Sequence, residues 1–524
     1  MAAAPDLQRV LTDPGYTPGQ AALPGLIAAL ASASKDQAPG LERVICRAGT
    51  AAIAPALSAL ELAAPRTRPG LLSLLARLAT ATHDGRLYPV LLGALADPEP
   101  LARRRAARAL GKLGDSRAEE PLLAALASAS SLVQKSIIEA LASVGGPAAL
   151  EALTALTPGD PDFERRRQRA VFLVERRLNR GDASSLRLDR PLASPCRVVL
   201  TCRSGLSAIV AEQLAAFAPR VLGPSRVELD HKGSLDALLA ARCALDFALV
   251  VPIDESAAAE PIERIAEALT RPDTLRRLEG VTDGPLRFRV AWSDGAHHRA
   301  PTWALARALR ARTRAIENDS RMALWTARAD VAGRGQIELV PRLDPDPRFA
   351  YRTRTVAAAS HPTLAAALAH VAGVRADEVV WDPFVGSGAE LAERARLGSV
   401  RELWGSDTDA QALDAARLNL GSLPGLQLVR ANALEYAPVG VTLILTNPPM
   451  GRRVARDGSI ATLLENFVKH AARVLVPGGR LVWLSPLAAK TERAARSAGL
   501  RVVAGPDVDM GGFSARLQVF VRPA

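Results

Sequence analysis

Cysteine is close to absent: four occur in 524 residues, Cys46, Cys196, Cys202 and Cys243, with no Cys-x-x-Cys pair and no histidine set beside them. That excludes a disulfide framework and a zinc finger or ribbon, so no metal is expected, and a reducing cytoplasm is the natural compartment. Lysine is scarce too, at six of the 66 basic residues. An arginine- and alanine-heavy profile is what a GC-rich coding sequence produces, which weakens the net charge of +12 as an argument for a nucleic-acid partner. No apolar run approaches the ~20 residues of a membrane helix. The longest, 237–251, is broken by Arg242 and Asp246, and the first residues lack the charged and apolar regions of an export signal, so no membrane partner is expected.

What is present is ample apolar material, 48% of residues. A length of 524 residues suggests about three domains at ~100 to 200 residues each. Residues 1–190, 191–350 and 351–524 carry 24, 22 and 20 basic against 19, 20 and 15 acidic residues, so no segment owns the excess charge. Over 1–185 short amphipathic segments alternate with turns. Ala109-Leu110 and Ala140-Leu141 occupy matching positions, and Gly111-Lys-Leu-Gly114 is echoed by Ala142-Ser-Val-Gly145. A two-helix unit of this length cannot bury its own apolar face and must stack on its neighbours, which predicts an α-solenoid. These units resemble HEAT repeats; the array is either a scaffold or a docking surface for protein or RNA. The basic segment that follows, from Arg165 to Arg180, is expected to pack Val171–Val174 inward and leave an arginine-rich flank.

From about 195 to 345 the period changes. Apolar runs 197–201, 227–230, 286–292, 324–330 and 335–340 read as strands, and 205–217, 234–242 and 302–316 as helices, which predicts an α+β domain. Arg307, Arg310, Arg312 and Arg314, behind His297 and His298, either grip a phosphate backbone or form an ordinary solvated face.

Residues 350–524 alternate strand and helix, so a parallel sheet with crossover helices is expected. The strand 378–382 ends in Asp382 and runs into Pro383-Phe-Val-Gly-Ser-Gly388, where Gly386 and Gly388 let backbone approach a ligand at the carboxyl end of a strand. A dinucleotide fingerprint wants a third glycine where Leu391 stands. The next strand ends in Asp407, a carboxylate suited to a ribose diol, and Asp409 either adds to it or caps a helix. A third strand runs into Asn432-Ala433; Asn432 either meets an adenine edge or occupies a turn. The fourth, 441–446, empties into Asn447-Pro448-Pro449-Met450-Gly451. Two prolines remove two backbone donors and leave carbonyl oxygens and the Asn447 amide oxygen as acceptors, a loop shaped for an NH2 group.

Together Asp382-Pro-Phe-Val-Gly-Ser-Gly388, Asp407, Asn432-Ala433 and Thr446-Asn-Pro-Pro-Met-Gly451 resemble the amino-methyltransferases that use S-adenosylmethionine. More narrowly they are similar to the RNA methylase family that joins a THUMP domain to a Rossmann-like catalytic domain, a resemblance spanning about 195–524. It implies cofactor contacts from Asp382, Pro383, Phe384, Gly386, Gly388, Asp407, Asn432 and Ala433. It also implies a catalytic loop of Asn447, Pro448, Pro449 and Met450, and a guanosine 2-amino group in tRNA or rRNA as target. Met450 stands where the family usually has an aromatic residue that stacks on the flipped base, and Asn432 where it commonly has Asp. Arg452, Arg453 and Arg456 are candidates for phosphate contact. Alternatives are adenine amino methylation, glutamine amide methylation in a protein, and a catalytically weak RNA-binding or assembly factor.

Overall fold

The computed structural model describes residue 13 and residues 16–524 apart from 35, 158, 179–182, 257–258, 358, 422, 451–458, 504 and the side chain of Ser459. The chain divides into two compact units, Met1–Asp182 and Ala183–Ala524.

The first unit is helical. A ladder of helices, Ala38–Arg47, Arg68–Thr82, Pro100–Leu113, Ser131–Val144 and Pro161–Leu178, recurs at nearly constant spacing. Shorter helices, Ile53–Glu61, Leu87–Gly93, Glu119–Ser128 and Pro147–Ala155, alternate with them. The echoed Gly111 has a packing reason: a Cβ there would lie 2.7 Å from Ala140 Cα, so the two long helices cross in backbone contact. Glu119 caps the next repeat across space, accepting from Gly146 N at 2.7 Å and Ala149 N at 2.9 Å. The basic segment differs from expectation. Its buried positions are Phe163, Ala170 and Val174, the face that 3.6-residue periodicity selects, and not the consecutive run 171–174. Its arginines are partly engaged within the array: Arg166 pairs with Glu139 and Asp162, Arg167 with Glu164, and Arg177 meets the carbonyls of Ala142 and Gly145. Arg180 lies outside the described residues.

In the second unit a mostly antiparallel eight-stranded sheet comes first, in the spatial order Arg220–Gly223, Arg226–His231, Cys196–Cys202, Ala244–Pro252, Gln336–Pro341, Trp325–Ala329, Leu286–Trp292, Ile316–Asn318. The longest apolar run thus supplies an inner strand. Segment 234–242 forms a 3-10 helix, Leu235–Ala240, and 302–316 forms the helix Arg299–Arg312 and the short strand Ile316–Asn318. Before residue 195 the strand Ser185–Leu186 already pairs with Thr282–Asp283.

The second sheet runs Leu426–Arg430, Glu402–Asp407, Val379–Asp382, Leu443–Thr446, Arg480–Ser485, Ser514–Val521, Arg501–Val503, with Asp507–Asp509 also on Ser514–Val521. The first five strands are parallel, as the strand–helix alternation predicts. The last is antiparallel to its neighbours, so the sheet is mixed. A hairpin explains the reversal: Gly511 and Gly512, at φ of 85° and 99°, turn the chain within a few residues, and a connection that short joins only antiparallel strands.

The two sheets of this unit share a core and a polar seam. Arg242 pairs with Glu393 at 2.6 Å, His370 Nε2 with Glu212 at 2.9 Å, and Arg203 Nη1 donates to Asp509 O at 3.1 Å. Gly205, at φ 96°, is required there because a Cβ would sit 2.0 Å from Asp507 O.

Candidate active site

Strand order reverses between Val379–Asp382 and Leu443–Thr446, which lie side by side while the chain departs from them in opposite directions. Doubly wound sheets open a crevice outside the carboxyl ends of such strands. Asp382 and Thr446 end these two strands, and Thr446 Oγ1 donates to Asp382 Oδ1 at 2.6 Å.

The two ends of the sheet treat buried charge differently. At the amino end, Glu378 is compensated by Arg394 (Nε, 2.9 Å) and Arg480 (2.7 Å). At the carboxyl end, Asp382 is fully buried and Glu390 is 2% exposed, and among the described residues Asp382 Oδ2 and Glu390 Oε1 have no partner. Burial, followed by the charge of Glu390, pushes Asp382 well above the usual carboxylate range, and the bonds from Thr446 and Phe384 N do not offset it. Burial likewise raises Glu390 to about 7. One turn on, Glu393 is equally buried but is held by Arg242 and by Tyr351 Oη at 2.9 Å. Uncompensated acids at one end only are the signature of a ligand site.

Asn447 has the same character. Its Nδ2 donates to Ser360 Oγ at 2.9 Å, while its buried Oδ1 has no partner among the described residues. Leaving a buried acceptor unmatched costs about 1–3 kcal/mol, so Asp382 Oδ2, Glu390 Oε1 and Asn447 Oδ1 together describe a crevice built for a ligand rich in N–H or O–H donors. Pro448 is buried, Pro449 is half-buried, and Met450 packs partly against the core of the unit. Gly451, Arg452, Arg453 and Arg456 lie outside the described residues.

In the glycine loop Gly386 and Gly388 serve different ends. Gly386, at φ 50°, has open space where a Cβ would stand, its nearest neighbour Phe384 O at 3.9 Å, and its N donates to Asp407 Oδ2 at 3.1 Å. Gly388, at φ 88°, caps the helix Ala389–Leu397, and a Cβ there would meet Leu420 Cδ1 at 2.5 Å. Gly388 is glycine for backbone conformation and packing, whereas at Gly386, also at positive φ, the space beside the backbone is open. Pro383 continues the chain from Asp382, and the Phe384 ring packs edge-on against Phe467 at 5.4 Å. Asp407 also accepts from Asp409 N at 3.0 Å, while Asp409 caps the helix Ala410–Leu420 through Gln411 N at 2.9 Å, which settles its role. Asn432 is exposed, and its amide is engaged locally: Oδ1 accepts from Leu434 N at 3.1 Å and Nδ2 donates to Glu435 at 2.9 Å. The turn reading fits its side chain, and Ala433 beside it is buried.

Sequence reasoning quoted Thr446 in its motif without a role, and gave none to Ser360 and Glu390. Glu390 was legible only as an acid in the first turn of a helix, where the dipole favours one. Ser360 is 87 residues from Asn447, and no motif spacing links them. His361, next in the chain, accepts at Nδ1 from Thr363 N, and burial followed by the charges of Arg203 and Arg352 lowers it to about 4, so it is neutral.

Among the described residues no cluster of His, Cys, Asp and Glu could hold a metal ion, and no helix is long and apolar enough to cross a membrane. Comparison with known proteins agrees with the geometry. Residues 350–515 match the family described as the RMKL-like methyltransferase domain, and residues 88–173 match HEAT repeats. The chain is 35% identical over 139 residues to a tRNA (guanine(6)-N2)-methyltransferase of Thermus thermophilus, covering 25% of this chain and 41% of that enzyme. It is 30% identical over 129 residues to a tRNA (guanine(10)-N2)-dimethyltransferase of Methanothermobacter thermautotrophicus, covering 24% and 38%. The chain therefore spans less than half the length of these curated relatives. The crystal structure of TrmN from Thermus thermophilus superposes with a TM-score of 0.51 at 24% identity, over 63% of this chain and all of that one, a likeness of fold. The N-terminal unit is thus a helical array with HEAT repeats, and the C-terminal part has an α/β methyltransferase-like fold.

Proposed function

We propose that the protein is an S-adenosylmethionine-dependent methyltransferase that modifies the exocyclic 2-amino group of a guanosine in a structured RNA, a tRNA before an rRNA. The observation that carries this reading is the orphaned Asn447 Oδ1 at the topological switch point, fixed by Ser360 behind it and followed by two prolines. The activities for which the relatives are named, guanine-N2 methylation of tRNA, support the choice of base.

Bound S-adenosylmethionine would supply an electrophilic methyl group on sulfur. The residues present fit it: Gly386 leaves open space along the loop, Asp407 keeps free lone pairs for a ribose diol, and the unpartnered Oδ2 of Asp382 suits the ammonium of an amino acid. The amide of Asn432 is already engaged in its own turn, so the backbone there and Ala433 are the groups proposed for the adenine edge. An aryl amine is a poor nucleophile because its lone pair is delocalised into the ring. Asn447 Oδ1 and the Pro448 carbonyl accept its two N–H bonds, which turns the lone pair out of conjugation and toward the methyl group. Methylation makes the nitrogen strongly acidic, and its proton leaves to water without a dedicated base.

The middle sheet, in this reading, is a THUMP-like RNA-gripping module, and the helical array recruits RNA or a protein of the translation machinery in the cytoplasm. The test uses labelled S-adenosylmethionine and total RNA from cells lacking the gene, followed by nucleoside identification. Label in N2-methylguanosine, lost with Asn447→Ala, supports the reading; bound cofactor without RNA label overturns it.

A further inference from the structure

Asn447 is used in the proposed reaction through one end of its amide, and an amide has two ends. Turned over, it would present N–H donors where an amine needs an acceptor. The choice is made behind the residue. Nδ2 donates to Ser360 Oγ at 2.9 Å, and the Ser360 hydroxyl in turn reaches the Glu390 carboxyl. A hydroxyl carries one hydrogen. While that hydrogen is given to a carboxylate, Ser360 can only accept from Asn447, so Nδ2 is held inward and Oδ1 faces the crevice. Glu393 cannot take over, because Arg242 and Tyr351 already hold it.

We propose that Glu390, acting through Ser360, sets which end of the Asn447 amide faces the target amine, so that Glu390 and Ser360 are positioning residues of the transfer. The proposal rests on the reading of Asn447 as acceptor for an exocyclic amine. Neutral Glu390 reverses the order: its own hydroxyl donates to Ser360, whose hydrogen is released to donate to Asn447 Oδ1, and the amide turns its NH2 outward. The site is therefore competent when Glu390 is ionised. Facing Glu390 are Glu393 on its own helix and Asp382 on the strand Val379–Asp382, which oppose ionisation, and Arg352 on the lead-in segment, which favours it; Asp407 acts at second hand through Asp382. Burial leaves the balance near neutrality, at about 7.

The test is steady-state methylation of the RNA by the full chain from pH 5.5 to 8.5, with cofactor affinity measured by calorimetry. In the wild-type protein kcat should rise through one ionisation near neutrality. Glu390→Gln, which still offers an acceptor but cannot titrate, should flatten that rise. Ser360→Ala and Glu390→Leu should lower kcat about 100-fold with the KM for RNA unchanged, since misaimed groups lose rate and not binding. Ser360→Thr, which keeps the hydroxyl, should restore most of it. Wild-type kcat and an unaltered pH profile in Ser360→Ala and Glu390→Gln would overturn this proposal alone. A wild-type protein that binds cofactor yet methylates no RNA would overturn the functional reading and this proposal with it.

Discussion

Single residues at the carboxyl end of the second sheet carry opposed roles. On the proposed reaction Asn447→Ala removes the acceptor for the target amine, so kcat should fall about 100- to 1,000-fold while calorimetry shows cofactor affinity near wild type. Glu390 makes a separate prediction about stability. Its folded value, about 7, lies above the ordinary 4.5, so no penalty exists below pH 4.5, where both states are neutral. As pH rises toward 7 the unfolded chain ionises first and the native state loses ground; above 7 the loss is constant. Glu390→Gln should therefore match the wild-type melting temperature near pH 4 and exceed it at pH 8 in ligand-free protein. His361 runs the other way in acid: held neutral and lowered to about 4, it costs stability as pH falls from 6.5 to 4.

At the level of elements, close approach decides what a glycine is for. Gly388→Ala forces a side chain into φ 88° and into Leu420, so thermal unfolding should show a loss of about 1–3 kcal/mol, whereas Gly386→Ala meets open space and should act mainly on cofactor affinity. In the helical array Gly111→Leu must push Pro100–Leu113 off Ser131–Val144, and the unfolding midpoint of that unit should drop. Much at this scale was legible beforehand. The alternation of strand and helix gives the parallel strands, and the echo of Gly111-Lys-Leu-Gly114 gives the repeat. Less legible was the reversal of Ser514–Val521, because an apolar strand reads alike in either direction and only its hairpin partner selects one. The segment 234–242 misled in type because one short apolar run suits either helical form.

Over the whole molecule, the chain divides into two compact units. Within the second unit the seam between its sheets is secured by an ion pair buried to 13% and 2% side-chain exposure, Arg242 with Glu393. Arg242→Ala strands a buried carboxylate, so denaturant unfolding should report a loss of about 3–5 kcal/mol in that unit. The sequence by itself determined the class of fold and marked the strand ends and the loop 447–450 that are proposed for the chemistry, because these depend on local periodicity and on residues adjacent in the chain. Tertiary structure alone decided that Asp382 and Glu390 lie buried near each other without a compensating cation and that Ser360 stands behind Asn447. Ser360 and Asn447 are 87 positions apart, and burial, which sets the charge of a carboxylate, is a property of the packed chain.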